Sequence, residues 1–234
     1  MKKRFHILRK EIKGTPYWED YIYETQDEGV TVAAAISALG EANLAKRQAG
    51  DYRPIAWEHS CLQKRCGACA MVINGKPALA CDTKLSDISG ETVTLEPLKK
   101  FPVVEDLLVD RTVMMETLKT LSVWLDDNAD EGGEDMAFDA SCCLQCGLCL
   151  EVCPNFAPYG KFAGMAGMAP LARLIAQLPK EQRRRVSKDY TRHVFEGCGK
   201  SLACRDICPA KINIEDLMVK SNAAAVWRRW NKKS

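Results

Sequence analysis

The 234-residue sequence predicts an α+β protein in two parts, and three observations carry that class. Residues 1–102 hold several short segments in which apolar and polar residues alternate, the two-residue period of a half-buried strand, around one helical stretch. Residues 103–234 lack that alternation and repeat apolar residues at three- and four-residue steps, the period of a helix face. A cysteine-rich run then occurs twice in the second part, at 143–154 and 198–209, as a duplicated binding element does.

In order along the chain, Phe5 and Ile7, then Tyr21 and Tyr23, alternate with polar neighbours and predict two strands. Thr31–Ala45 is rich in Ala and Leu, with Val32, Ile36, Leu39 and Leu44 near helical spacing. Ala70–Ile73 and Ala78–Cys81 flank Asn-Gly-Lys-Pro, a hairpin signal. Val93 and Leu95 predict one more strand. Beyond Phe101-Pro102, the apolar steps from Val104 to Leu121 predict a helix over Val103–Trp124. Asp126–Asp139 holds seven acids and no base and reads as a solvated linker. Further helices are expected at Pro170–Leu178, around the basic Lys180–Lys188, and at Ile214–Trp230.

The bulk properties exclude several classes. A net charge of +2 gives no field for nucleic acid. The longest charge-free run, Gly29–Gly40, is 12 residues, short of the roughly 20 that span a bilayer. The basic N-terminus MKKRFHILRKEIK has no apolar core of a secretory signal. Twelve cysteines without such a signal fit a reducing compartment, where metal binding is favoured over disulfides.

The cysteines carry the chemistry. Cys61-x4-Cys66-x2-Cys69, followed by Cys81, has the spacing of a plant-type [2Fe–2S] centre, in which four thiolates hold two iron ions. Zinc prefers paired C-x2-C elements and fits this group poorly. Cys143-Leu-Gln-Cys146-Gly-Leu-Cys149-Leu-Glu-Val-Cys153-Pro154 has the bacterial two-cluster spacing, in which the fourth cysteine ligates the other cluster. The second run keeps that spacing as Cys198, Cys204 and Cys208-Pro209, but has Ser201 in place of its second cysteine. Cross-ligation groups Cys143, Cys146, Cys149 and Cys208 for [4Fe–4S], and leaves Cys153, Cys198 and Cys204, three thiolates that suit [3Fe–4S]. A four-iron cluster completed by Ser201 or water is the alternative there. Cys142 is left over, because only Cys143 preserves the spacing to Cys146, and reads as a packed thiol. His6, His59 and His193 have no ligand pattern of their own. There is no P-loop, dinucleotide fingerprint or hydrolase triad, so the chain is expected to move electrons rather than transform a substrate itself.

With these residues in hand, the chain resembles the iron–sulfur subunit of the succinate dehydrogenase/fumarate reductase family. The resemblance rests on SCLQKRCGACAMVINGKPALAC, on CLQCGLCLEVCPNF followed by KFAG, and on CGKSLACRDICP, and covers nearly the whole length. It implies a β-grasp [2Fe–2S] ferredoxin-like domain over 1–102 and a helical domain similar to bacterial ferredoxin over 103–234. It implies the same three ligand sets, a flavoprotein partner carrying FAD, a membrane anchor, and electron transfer from flavin through [2Fe–2S], [4Fe–4S] and [3Fe–4S] to quinone, or the reverse. The chain would then lie peripherally on the cytoplasmic face of the cell membrane. Many members have Arg-Glu-Gly between the first two cysteines, where this chain has Leu62-Gln63-Lys64-Arg65. Many also carry a Trp pair after the third-cluster cysteine, where this chain has Asn155-Phe156-Ala157-Pro158-Tyr159. That departure resembles the branch with a dihaem cytochrome b anchor, often working with menaquinone. Position by position, the resemblance also implies Pro154 at the edge of the quinone pocket and Ser201 at the third cluster. The tail Trp227-Arg228-Arg229-Trp230-Asn231-Lys232-Lys233 suits a membrane interface or a solvated helix end. Two alternatives fit the sequence less well. A thiol-linked fumarate reductase subunit would carry CCG-type cysteine motifs, and none follows Cys208. A metal-stapled scaffold has no need of three differing cluster types.

Overall fold

A computed structural model of the chain describes residues 1–42, 53–124, 134–179 and 182–227. They form two compact units, Met1–Asp110 and Arg111–Ser234.

The first unit is built on a five-stranded mixed sheet. Its strands are β1 (Lys2–Arg9), β2 (Tyr17–Glu24), β3 (Ala70–Ile73), β4 (Lys76–Leu79) and β5 (Thr92–Glu96), in the order β2-β1-β5-β3-β4. β1 and β5 run parallel, with Phe5 opposite Val93 and Ile7 opposite Leu95; the other pairings are antiparallel. The alternation in β1 and β5 sends Phe5, Ile7, Val93 and Leu95 to one side, where all four are fully buried. Helix α1 (Val32–Ala42) faces that core with Val32, Ala35, Ile36 and Leu39, the i, i+3, i+4, i+7 stripe of an amphipathic helix. The expected extension of this helix to Ala45 lies outside the described residues.

The β3–β4 hairpin is tighter than the expected four-residue loop. Asn74 and Gly75 alone turn the chain, at φ +46° and +76°, so Lys76 and Pro77 already belong to the strand. Asn-Gly is the pair that tolerates two left-handed residues in succession. Pro77 is accommodated because β4 is an edge strand.

The helix expected over Val103–Trp124 is corrected. Val103–Glu105 and Leu108–Val109 are strands β6 and β7 of a small hairpin, and the helix α2 runs only from Thr112 to Leu121. The reason is Asp106, a fully buried turn residue at φ +45°. Its carboxylate accepts from the Lys10 amide at 2.8 Å and the Ala56 amide at 2.9 Å, and pairs with Arg9 at 3.1 Å and Arg53 at 2.6 Å. Burial opposes its charge, but these donors outweigh that and hold the carboxyl below its usual range. Arg9, itself buried, also donates to the carbonyls of Arg53 and Pro54 at 2.9 and 3.0 Å and to Glu19 and Tyr21. The network therefore ties the segment that leads to Cys61 onto the end of β1.

The second unit is helical. Besides α2 it contains α3 (Glu134–Ser141), α4 (Leu148–Val152), α5 (Gly164–Gln177), α6 (Arg183–Tyr190, continued with a wider π turn to Phe195), α7 (Ala203–Asp206) and α8 (Ile214–Asn222, continued likewise to Trp227). α5 starts six residues before the expected Pro170, on a run of Gly, Ala and Met that packs closely; a Cβ on Gly167 would lie 2.4 Å from Ala163. The acidic segment read as a linker is helical from Glu134, while 126–133 lie outside the described residues, as does the basic tail beyond Trp227. Leu121, Met168, Leu171, Leu174, Ile175, Val186, Tyr190, Val194 and Leu217 form the core. Cys142, Cys143, Cys149, Cys204 and Cys208 pack against its edge. Among the described residues no helix is long and apolar enough to cross a membrane.

Candidate iron–sulfur centres

In the first unit, Cys61, Cys66 and Cys69 stand on one loop before β3, and Cys81 follows β4. The fourth cysteine was expected on a strand; it sits in the short 3-10 turn Ala80–Asp82. The loop backbone winds through left-handed positions at Leu62, Lys64 and Gly67. Such alternation turns successive amides inward and makes a concavity for an anionic group. Here the amides of Gln63 and Arg65 each approach the Cys61 sulfur at 3.3 Å, and that of Lys64 the Cys81 sulfur at 3.3 Å. The Cys81 amide lies 3.5 Å from the Cys69 sulfur. Donation from Gln63 and Arg65 brings the Cys61 thiol down to about 7, whereas burial pushes Cys69 up to about 12. Lys64 has no glycine's freedom, yet it takes the left-handed geometry and pairs with Asp82 at 2.7 Å. The glycine missing from this loop has thus not prevented its turn.

In the second unit, the two runs adopt the same turn. Left-handed residues fall two and four places after the first cysteine in each: Gln145 and Gly147 after Cys143, Lys200 and Leu202 after Cys198. A cavity of about 400 Å³, counting its opening to solvent, is lined by Cys143, Cys146, Cys149 and Cys208, with Ala166, Ile212 and Ile214 among its apolar walls. A second, of about 520 Å³ on the same measure, is lined by Cys149, Cys153, Cys198 and Cys204, together with Pro154, Ser201 and Leu202. Cys149, Met165 and Ile214 stand in the wall between them.

Burial pushes the Cys143 thiol up to about 11 and raises Cys146, Cys204 and, most strongly, Cys149. Buried thiols of this kind become thiolates only when a cation supplies compensating charge, which is what iron does. Among the described residues no three Cys, His, Asp or Glu side chains converge as one metal ion requires. In the second unit the thiols line two cavities with room for a polynuclear cluster.

Several neighbours of the cysteines carry no distinctive signal in the sequence. The Gln145 side-chain amide lies 3.4 Å from the Cys143 sulfur and donates to the Ala166 carbonyl at 3.1 Å. Arg111 donates to the Cys146 carbonyl at 3.0 Å. Asn155 donates to the Gly197 carbonyl at 2.7 Å and so joins the end of one run to the start of the other. Gln145 and Asn155 are polar residues near a cysteine, a signal too common to single out, and Arg111 stands 35 residues from the carbonyl it reaches. Of the histidines, His6 stacks on Trp18 and pairs with Asp20, His59 lies against Trp57, and His193 donates to the Lys161 carbonyl.

Comparison with known proteins agrees with this geometry. Residues 4–117 match the 2Fe-2S iron-sulfur cluster binding domain family, and residues 139–212 the 4Fe-4S dicluster domain family. The succinate dehydrogenase iron-sulfur subunit of Bacillus subtilis is 36% identical over 226 residues, which span 89% of this chain and 87% of that one. The chain belongs to the iron–sulfur subunit family of succinate dehydrogenase and fumarate reductase. The fumarate reductase iron-sulfur subunit of Wolinella succinogenes is 25% identical over 86% of each chain. A chain of the Mycobacterium smegmatis Sdh1 complex in the apo form shares the fold, with a TM-score of 0.78 over 98% of this chain and 97% of that one at 22% identity. As an iron–sulfur subunit of this family, the protein carries electrons with a [2Fe–2S] domain followed by a [4Fe–4S] dicluster domain.

Proposed function

We propose that this iron–sulfur subunit relays electrons between the FAD site of a partner flavoprotein and a membrane quinone, through three clusters held by eleven of its twelve cysteines. Cys61, Cys66, Cys69 and Cys81 hold [2Fe–2S]; Cys143, Cys146, Cys149 and Cys208 hold [4Fe–4S]; Cys153, Cys198 and Cys204 hold [3Fe–4S]. The clusters supply one-electron transfer in which no bond to the substrate is made or broken. The residues of the chain hold the clusters at fixed places, aim amide dipoles at the sulfurs and exclude water with apolar walls.

The observation that carries this reading is the pair of cysteine-lined cavities with a common wall. Cys208 of the second run lies at the first run's cavity, and Cys153 of the first run lies at the second's, as cross-ligation requires. The three-iron assignment rests on Ser201, whose hydroxyl is a far weaker ligand than a thiolate and which lines the second cavity. We place Pro154 and Ser201 in the quinone-facing environment. The anchor is a dihaem cytochrome b and the quinone a menaquinone, a reading supported by the Trp-free segment Asn155–Tyr159. The subunit then sits peripherally on the cytoplasmic face of the membrane, with a [2Fe–2S] domain over 1–102 and a helical two-cluster domain over 103–234.

Iron and sulfide analysis of the purified complex, with EPR of its oxidised and reduced states, tests this. About nine irons per chain are expected, in three separable signals, one of them a three-iron signal in the oxidised protein. Fewer than three cluster types would overturn the relay, and an oxidised protein without a three-iron signal would overturn the assignment at Ser201. Zinc in place of iron would favour a scaffold.

A further inference from the structure

Gln145 stands between two proposed ligands, Cys143 and Cys146, at φ +50°. The left-handed turn folds its side chain back over the loop, where it is partly buried. Its Nε2 has two acceptors, the Cys143 sulfur at 3.4 Å and the Ala166 carbonyl of α5 at 3.1 Å. The carbonyl fixes the amide orientation. With the group flipped, Oε1 would face the Ala166 oxygen, two acceptors in contact, so the donor must point to the sulfur side. The cost is visible at the other end, since Oε1 is buried without a hydrogen-bond partner. A buried unsatisfied acceptor is costly, and its retention calls for a reason.

We propose that Gln145 is a positioning and tuning residue for the [4Fe–4S] cluster, whose side-chain N–H to the Cys143 sulfur raises that cluster's reduction potential relative to the other two. The inference rests on the ligand assignment proposed above. When the cluster accepts one electron, no proton moves and no bond changes; the added negative charge spreads onto the cysteine sulfurs. A donor already aimed at one of those sulfurs stabilises the reduced form more than the oxidised form. The second run has no such donor at the matching place. Its residue there is Lys200, which is exposed, with its ammonium 5.7 Å from the Phe195 ring centre. The tuning therefore acts on one cluster of the pair.

The test is an EPR-monitored redox titration of the intact complex carrying Gln145→Met, which keeps length and removes the donor, and Gln145→Glu, which sets a second negative group against the sulfur. For Gln145→Met the ratio of reduced to oxidised [4Fe–4S] at a fixed potential should fall about tenfold, equal to a downward shift of ~59 mV for one electron. Gln145→Glu should lower it further, and the other two clusters should stay in place. An unmoved [4Fe–4S] potential with all clusters present, or an equal shift of all three, overturns the proposal. If neither variant assembles, wild-type protein labelled with 15N at glutamine amides decides. Pulsed EPR of the reduced [4Fe–4S] centre should show a 15N coupling with an exchangeable proton, and its absence overturns the tuning role. A wild-type complex with no [4Fe–4S] signal sinks the ligand assignment instead, a result distinct from every one above.

Discussion

The runs at 143–154 and 198–209 have one backbone and two chemistries. Both place left-handed residues two and four positions after the first cysteine, and both end in Cys-Pro. Yet the first run fills the turn with Gln145, Cys146 and Gly147, and the second with Lys200, Ser201 and Leu202. The turn therefore does not depend on the side chains within it. What the loop keeps between its copies is the left-handed turn; what it varies is the number of cysteines and the polar groups around them. One fold element thus carries three cysteines at the first-run positions and two with a serine at the second, within a single helical unit.

The largest effect should come from breaking the crossing of ligands. Cys208→Ala removes a thiol of the second run, but should abolish the [4Fe–4S] signal of the first. Cys153→Ala should abolish the three-iron signal of the second run. Iron analysis should fall by about four and about three per chain respectively, with the [2Fe–2S] signal kept in both. A loss confined to the run that carries the substitution would refute cross-ligation here.

Ser201→Cys comes next, because it makes the second run chemically like the first. It should add about one iron per chain and replace the oxidised three-iron EPR signal by that of a reduced four-iron cluster. A retained three-iron signal would mean that the cavity, and not the missing thiolate, selects three irons.

Much of this was legible in the sequence, and the reasons differ by feature. Phe5, Ile7, Val93 and Leu95 announced their strands because one face of the sheet is buried and the other is not. The cysteine spacing announced the two iron–sulfur domains because ligation geometry tolerates little variation. The hairpin at Val103–Val109 was hidden, since its apolar residues also fit a helical step and the choice was made elsewhere. Asp106 drew in Arg9, Arg53, Lys10 and Ala56 from distant segments, a tertiary network that no local window contains. Gln145 was hidden likewise, because its second acceptor, Ala166, lies 21 residues away on α5.

A subtler distinction between the runs is the fourth position of the turn. Gly147 takes φ +84° at no steric cost, while Leu202 takes φ +58° with a full side chain. Gly147→Ala should therefore destabilise the second unit by about 1 kcal/mol. Denaturant unfolding of the assembled subunit, followed by loss of cluster absorbance, reads this out. A neutral result would show that the first run is held as firmly by its surroundings as the second.

The smallest effect concerns the residue after Cys-Pro. In the first run this is Asn155, whose amide reaches the Gly197 carbonyl at 2.7 Å, just before Cys198. In the second run it is Ala210, which packs against the core and has no polar side chain to offer its partner run. Asn155→Ala makes the two alike and removes the tie between the Cys153 end and the Cys198 loop. The bond is exposed, so its loss is worth at most about 1 kcal/mol, or roughly fivefold in an equilibrium. The consequence should be local. Challenged with an iron chelator, the variant complex should lose its three-iron signal up to about fivefold faster than wild type, while the four-iron and two-iron signals decay at the wild-type rate. Equal acceleration of both clusters in the helical unit would show that Asn155 supports the whole pair, and that the two runs are less independent than their separate cavities suggest.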